Sequence, residues 1–180
     1  MSGSISKIIN ELNNKNFNKA LNLCEEYSVN KDLHILNNLK GIIFINLKDQ
    51  KNAIEYFKKS LIYKENYIEG YSNLANAYFS TKNFSKSIKT IIKALNYEPK
   101  NQNLNFNLAF FLSENHQYQK AIKQYKETIR LGYNKEIVLN NIGNIYIKEK
   151  NYPKAKEYFL ACLKINSSNY LTINNLIRSL

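Results

Sequence analysis

Three short segments decide the fold of this chain: Tyr71-Ser72-Asn73-Leu74-Ala75-Asn76-Ala77-Tyr78, then Ser80-Thr81-Lys82-Asn83, then Phe84-Ser85-Lys86-Ser87-Ile88. In the first, Tyr71, Leu74, Ala75, Ala77 and Tyr78 place apolar or small residues at helical rather than alternating spacing. The second is a polar break. After it Phe84, Ile88, Ile91, Ile92 and Leu95 build another helical face, and Pro99 stops it because proline cannot continue a helix. The stretch therefore reads as two helices joined by a tight turn.

The same pattern returns along the chain. Gly41, Ala75, Ala109 and Gly143 lie 34 residues apart, and Ala53, Ser87, Ala121 and Ala155 keep that spacing. Two columns of small residues at one period mean stacked units in which helices approach closely. The restart at Asn83-Phe84-Ser85-Lys86-Ser87 recurs as Gln117-Tyr118-Gln119-Lys120-Ala121, as Asn151-Tyr152-Pro153-Lys154-Ala155 and as Asn16-Phe17-Asn18-Lys19-Ala20. Pro153 suits a first helical turn. Units are expected at about 34–67, 68–101, 102–135 and 136–169, after a divergent unit at 1–33 whose first helix carries Ile5, Ile8, Ile9 and Leu12. Residues 170–180 are expected to form a capping helix. Ile173, Leu176, Ile177 and Leu180 would be its buried face, with Thr172, Asn174, Arg178 and Ser179 toward solvent.

Asn73-Leu74-Ala75-Asn76-Ala77-Tyr78 with Ala94-Leu95-Asn96-Tyr97-Glu98-Pro99, and Asn141-Ile142-Gly143-Asn144-Ile145-Tyr146 with Ala155 and Phe159, resemble the signature of the tetratricopeptide repeat family. The resemblance covers nearly the whole chain. It implies an all-α fold: a right-handed α-solenoid of stacked antiparallel helix pairs, about five units plus the C-terminal helix, forming one domain over 1–180. The sequence departs from the signature in having no Trp, with Asn37, Tyr71, Asn105 and Leu139 in that column, and in keeping the unit-ending proline only at Pro99.

The net charge of +12 raises nucleic acid or a membrane surface as partners. Its placement argues against sequence-specific nucleic-acid binding. The expected first helices carry only Lys40 and Lys148 as bases, against Glu69, Glu114, Glu136 and Glu149. The second helices carry bases in every unit, among them Lys58, Lys86, Lys89, Lys93, Lys123 and Lys154. The family resemblance implies that first helices line a concave groove and second helices form the back, so the groove is expected to be near neutral. It lacks the bases with which some members of the family clamp a C-terminal carboxylate. The longest apolar run, Gly41 to Ile45, is too short to span a bilayer, and no signal-peptide pattern opens the chain. A monomeric, cytoplasmic protein without membrane insertion is expected.

Asn73, Asn107, Asn141 and Asn175 recur at the repeat period, and Asn76 and Asn144 share their helix face. A carboxamide carries donors and an acceptor, as does an extended peptide backbone. This column is therefore a candidate peptide-binding ladder. It is similar to the asparagine ladder in the repeat arm of O-linked N-acetylglucosamine transferases. Phe110, one turn from Phe106, would add an apolar contact; packing onto the adjacent repeat is the competing reading of both rings. His34 and His116 have no recurring Cys, Asp or Glu at metal-ligand spacing, the glycines form no phosphate-cradling loop, and no nucleophile has a base beside it. No metal, cofactor or catalytic residue is expected. Cys24 and Cys162 lie on apolar helix faces far apart in sequence and read as buried small hydrophobes. Two functions fit: a scaffold binding an extended protein segment in its groove, or the substrate-recruiting arm of a larger glycosyl- or sulfotransferase.

Overall fold

A computed structural model of the protein describes residues 3–27 and 32–179. The chain divides into two compact units, Met1–Glu98 and Pro99–Leu180. The first holds α1 (Gly3–Asn13), α2 (Phe17–Glu26), α3 (Leu33–Asn46), α4 (Gln50–Tyr63), α5 (Ile68–Ser80) and α6 (Phe84–Tyr97). The second holds α7 (Gln102–Glu114), α8 (Tyr118–Arg130), α9 (Lys135–Lys148), α10 (Tyr152–Leu163) and α11 (Tyr170–Ile177). All regular structure among the described residues is helical.

Each helix pair is closed by one recurrent turn. Lys15, Lys48, Lys82, His116 and Lys150 adopt φ of 58–62°, the left-handed conformation that ends a helix. In the α5–α6 turn, Lys82 N–H donates to the Phe79 carbonyl and Asn83 N–H to the Tyr78 carbonyl, both at 2.8 Å. Two otherwise orphaned carbonyls are satisfied in this way. The residue that ends one helix then starts the next. The side chains of Asp49, Asn83 and Asn151 accept from the backbone N–H three residues on, capping α4, α6 and α10. This role explains several of the recurring asparagines.

Inside each pair the small-residue column faces a large ring. A Cβ added at Gly41 would lie 2.4 Å from the Phe57 ring, and one added at Gly143 would lie 2.4 Å from the Phe159 ring. Phe57 and Phe159 are fully buried. At the same phase of the other two pairs, Ala75 is matched by Ile91 and Ala109 by Tyr125, all buried. At Gly41 and Gly143 a first-helix backbone thus lies directly against a second-helix ring. The second small column, Ala53, Ser87, Ala121 and Ala155, is fully buried. Ser87 Oγ has no hydrogen-bond partner.

The divergent first pair packs as its face requires. Ile5 and Ile8 join Ala20, Cys24, Leu36, Leu39 and Ile43 in one cluster, with Ile9 and Leu12 against it. The column that lacks Trp is buried even where it is polar. Asn105 Nδ2 donates to the carbonyls of Pro99 and Asn101, each at 2.9 Å, and its Oδ1 accepts from Gln124. A buried amide with this many partners ties the start of α7 to α8 at little desolvation cost.

The C-terminal helix departs from the expected facing. Thr172 and Ser179, expected in solvent, are buried, whereas Ile177 is 62% exposed. Ile173 and Leu176 are half-buried, Asn174 and Arg178 are exposed, and Leu180 lies outside the described residues. The reason is polar complementarity. Thr172 Oγ1 donates to Asn140 Oδ1 (3.2 Å) and lies 3.3 Å from Cys162 Sγ, so α9 and α10 offer α11 hydrogen-bonding partners. The loop before it is tied to α9, because Asn166 and Asn169 both donate to the Glu136 carboxylate.

Candidate functional site

The two units each carry a cleft on the first-helix side, and the asparagines divide between them. In the first unit a cleft of about 330 Å³ is lined by Ile42, Ile45, Gln50, Phe57, Asn73, Asn76, Ala77 and Ser80. No charged side chain lines it. Asn76 is exposed and Asn73 half-buried. Asn73 is held in place from below, since its Nδ2 donates to Asn38 Oδ1 at 2.9 Å across α3 and α5. Ser80 Oγ donates to Gln50 Oε1 (3.1 Å) at the cleft's edge.

In the second unit a cleft of about 340 Å³ brings together Phe110 and Ser113 of α7, Asn141, Asn144 and Ile147 of α9, and Leu171 and Asn175 of α11. Glu114, Lys148 and Arg178 complete its lining. Four predicted site residues, Phe110, Asn141, Asn144 and Asn175, thus share one depression. Asn107 is half-buried on α7 and does not line it. Asn175 is buried, and its Nδ2 donates to Asn140 Oδ1 at 3.2 Å, the counterpart of the Asn73–Asn38 bond. Asn141 Nδ2 donates to the Ile137 carbonyl (2.8 Å) within its own helix. The column is therefore partly structural. Asn73 and Asn175 link successive first helices through Asn38 and Asn140, which stand one position ahead of the column's phase.

Phe106 occupies that same preceding phase in α7, where no carboxamide is available. It stacks on Tyr133 with centroids 4.6 Å apart and meets Tyr125 edge-on at 5.6 Å. It packs within its own repeat, 102–135, and not onto the adjacent repeat of the competing reading. Phe110 keeps a place in the cleft lining.

The near-neutral groove holds for the first unit's cleft and needs correction in the second. Lys148 Nζ pairs with Glu114 Oε1 between α9 and α7. Arg178 takes part in none of the ion pairs among the described residues, so the lining carries one unmatched positive charge. Sequence reasoning misses Arg178 because hydropathy places it on the solvent face of α11. The Lys148–Glu114 pair has a sequence signal, since the two residues stand one repeat period apart.

Among the described residues no group of three or more His, Cys, Asp or Glu side chains is placed to hold a metal ion. Burial pushes the Cys24 thiol up to about 11, so it stays protonated near neutrality and behaves as an apolar core group. Burial also raises the Cys162 thiol. His34 is lowered, chiefly by burial and then by Lys64, and meets the Tyr67 ring edge-on at 4.9 Å. No described helix is long and apolar enough to cross a membrane.

Models of the tetratricopeptide repeat match residues 36–67, 68–101, 91–123 and 137–169. The chain belongs to the tetratricopeptide repeat (TPR) family. Its solved relatives share the all-helical TPR solenoid fold at low identity. YrrB, described as a TPR protein with an unusual peptide-binding site, is 15% identical with a TM-score of 0.76, covering 98% of this chain and 91% of its own. MamA from Desulfovibrio magneticus RS-1 is 16% identical with a TM-score of 0.78, covering 94% of this chain and 99% of its own. PilF of Pseudomonas aeruginosa is 16% identical with a TM-score of 0.79, covering 98% of this chain and 81% of its own. No curated protein matches the chain. As a TPR protein it is a helical interaction scaffold.

Proposed function

We propose that this TPR protein binds an extended segment of another protein along its first-helix faces, without catalysis of its own. The observation that carries the reading is the second unit's cleft. Phe110, Asn141 and Asn144 line it together, with both asparagines only half-buried. An apolar ring beside half-exposed carboxamides suits a peptide whose backbone is read by hydrogen bonds and whose side chain meets Phe110. Asn73 and Asn76 offer a similar pair in the first unit. The peptide-binding site named for YrrB is consistent with this use of the fold.

Arg178 adds a preference. A segment with a carboxylate near its contact with α11 would find an unmatched guanidinium there. The test is selection of binding peptides from a displayed random library, followed by titration of one selected peptide against the parent and against Asn141→Ala/Asn144→Ala. The double variant should bind about tenfold more weakly, since each carboxamide–backbone bond contributes roughly 0.5–1.5 kcal/mol. Equal affinities would remove the asparagines from the site.

A further inference from the structure

A cleft of about 410 Å³ lies on the opposite side of the first unit, between α4 and α6 with α5 as its floor. Its rim is Lys58, Lys86, Lys89 and Lys93, and no acidic residue lines it. Its apolar wall includes Leu61, Leu74 and Ile62, the last 78% exposed. None of the four lysines takes part in an ion pair among the described residues. Glu55 is paired with Lys59, and neither Glu55 nor Glu65 lines the cleft.

This is not the generic basic back of the repeat. The stripe Lys86, Lys89, Lys93 corresponds by repeat phase to Lys120, Lys123, Glu127 in α8 and to Lys154, Glu157, Ala161 in α10. In α4 it corresponds to Asn52, Glu55, Lys59. Every other second helix carries an acid in this stripe, and Glu127 forms an ion pair with Arg130. Another cleft on a second-helix face, beside α10, is lined by Glu157 as well as Lys164. Among the described second helices only α6 presents three lysines with no acid in the whole helix.

We infer that the α4–α6 cleft is a second docking site, which takes an acidic peptide segment anchored by one large apolar side chain. The lysines supply long-range attraction and orientation. The apolar wall supplies the anchor's desolvation, and Ile62 carries that wall out to the cleft's edge. A nucleic acid would satisfy the lysines and leave the apolar wall uncovered. The site is separate from the first-helix cleft lined by Asn73 and Asn76, so both can be occupied on one molecule.

The test uses fluorescein-labelled dodecapeptides of Glu and Asp around a central Leu-Phe pair, read by anisotropy at about 0.15 M salt. A companion peptide replaces the pair by Ser-Ser at the same charge. A single-stranded oligonucleotide of equal charge and vesicles containing phosphatidylserine are compared as ligands of the same 180-residue chain. The Leu-Phe peptide should bind at least about tenfold more tightly than the Ser-Ser peptide. Lys89→Glu/Lys93→Glu should weaken it at least about tenfold. Lys123→Glu/Lys126→Glu in α8 should leave it within about twofold. Ile62→Ser removes the apolar edge at an exposed position and carries the test should the charge variant melt early. The inference fails with no detectable peptide binding, with equal affinity for the two peptides, or with unchanged affinity in Ile62→Ser or in a folded Lys89→Glu/Lys93→Glu. It also fails if the oligonucleotide or the vesicles bind more tightly than the Leu-Phe peptide.

Discussion

The first-helix clefts of the two units are built on one repeat and differ in chemistry. Asn73 and Asn141, and Asn76 and Asn144, stand at equal phase, and each pair lines its own cleft. Around them the first unit places Ile42, Ile45 and Ala77, while the second places Phe110, Glu114, Lys148 and Arg178. Beneath the clefts the units agree closely, since Gly41 meets Phe57 as Gly143 meets Phe159. Buried columns are constrained by volume and recur between units. Exposed columns are free to diverge, and ligand preference lies there. Changes in the core should therefore act alike in the two units, and changes in the clefts should not.

The largest effect expected is from the core. Gly41→Ala or Gly143→Ala drives a methyl group to 2.4 Å from a buried phenyl ring. Each should destabilise by about 1–3 kcal/mol, the usual cost of overpacking. Combining Gly143→Ala with Phe159→Ile recreates the Ala75–Ile91 pairing and should recover part of the loss. Urea melts of the single and double variants measure it. A large loss in one unit and none in the other would break the claim that the buried columns are equivalent.

Next come the clefts. For a peptide selected on the protein, Asn141→Ala/Asn144→Ala and Asn73→Ala/Asn76→Ala should differ by about tenfold or more in their effect on affinity, equivalent to about 1.4 kcal/mol. Arg178→Gln should weaken only peptides that carry a carboxylate, and less so as salt rises. Identical losses from both asparagine pairs, for every selected peptide, would mean that the carboxamides read main chain alone and the differing neighbours add nothing.

Ser87 tests the buried columns from the other side. Ala53, Ala121 and Ala155 occupy its phase, and its hydroxyl is fully buried without a partner. Ser87→Ala should raise stability by about 1 kcal/mol, because an unsatisfied buried hydroxyl costs roughly 1–3 kcal/mol. Thermal melting would show it as an increase of about 2–4 °C for a chain of this size. A loss of stability would mean that the hydroxyl has a partner, water included.

The helix pairs are legible in the amino-acid order, because a small residue every 34 positions has no other economical explanation. Eight described helices, α3 to α10, follow one another as four pairs. What stands across from the small residues is not legible, since Gly41 does not name Phe57 as its neighbour. The facing of α11 is misread for a related reason. Hydropathy favours Ile177, but Thr172 and Asn175 find partners in Asn140, and a satisfied polar face packs where an apolar one is expected. The asparagine column is found by period alone, which cannot separate a carboxamide facing a ligand from one tethering a neighbouring helix.

The smallest effect concerns the left-handed residue in each turn, which no sequence signal reveals. Left-handed backbone is expected at glycine, yet the turns carry Lys15, Lys48, Lys82, His116 and Lys150 there. A side chain in this region costs roughly 1–2 kcal/mol, and glycine removes that strain. Glycine also makes the unfolded chain more flexible, which cancels about 0.5–1 kcal/mol of the gain. Lys82→Gly in the first unit and Lys150→Gly in the second should thus each stabilise by at most about 1 kcal/mol. The two gains should match, because both turns close with the same pair of backbone hydrogen bonds and the same asparagine cap, Asn83 or Asn151. Because the sites lie in separate units without shared partners, the double variant should show the sum of the singles. Denaturant unfolding of the two single variants and the double variant checks both expectations. Unequal gains would show that the turns, alike in backbone, are loaded differently by the helices they join.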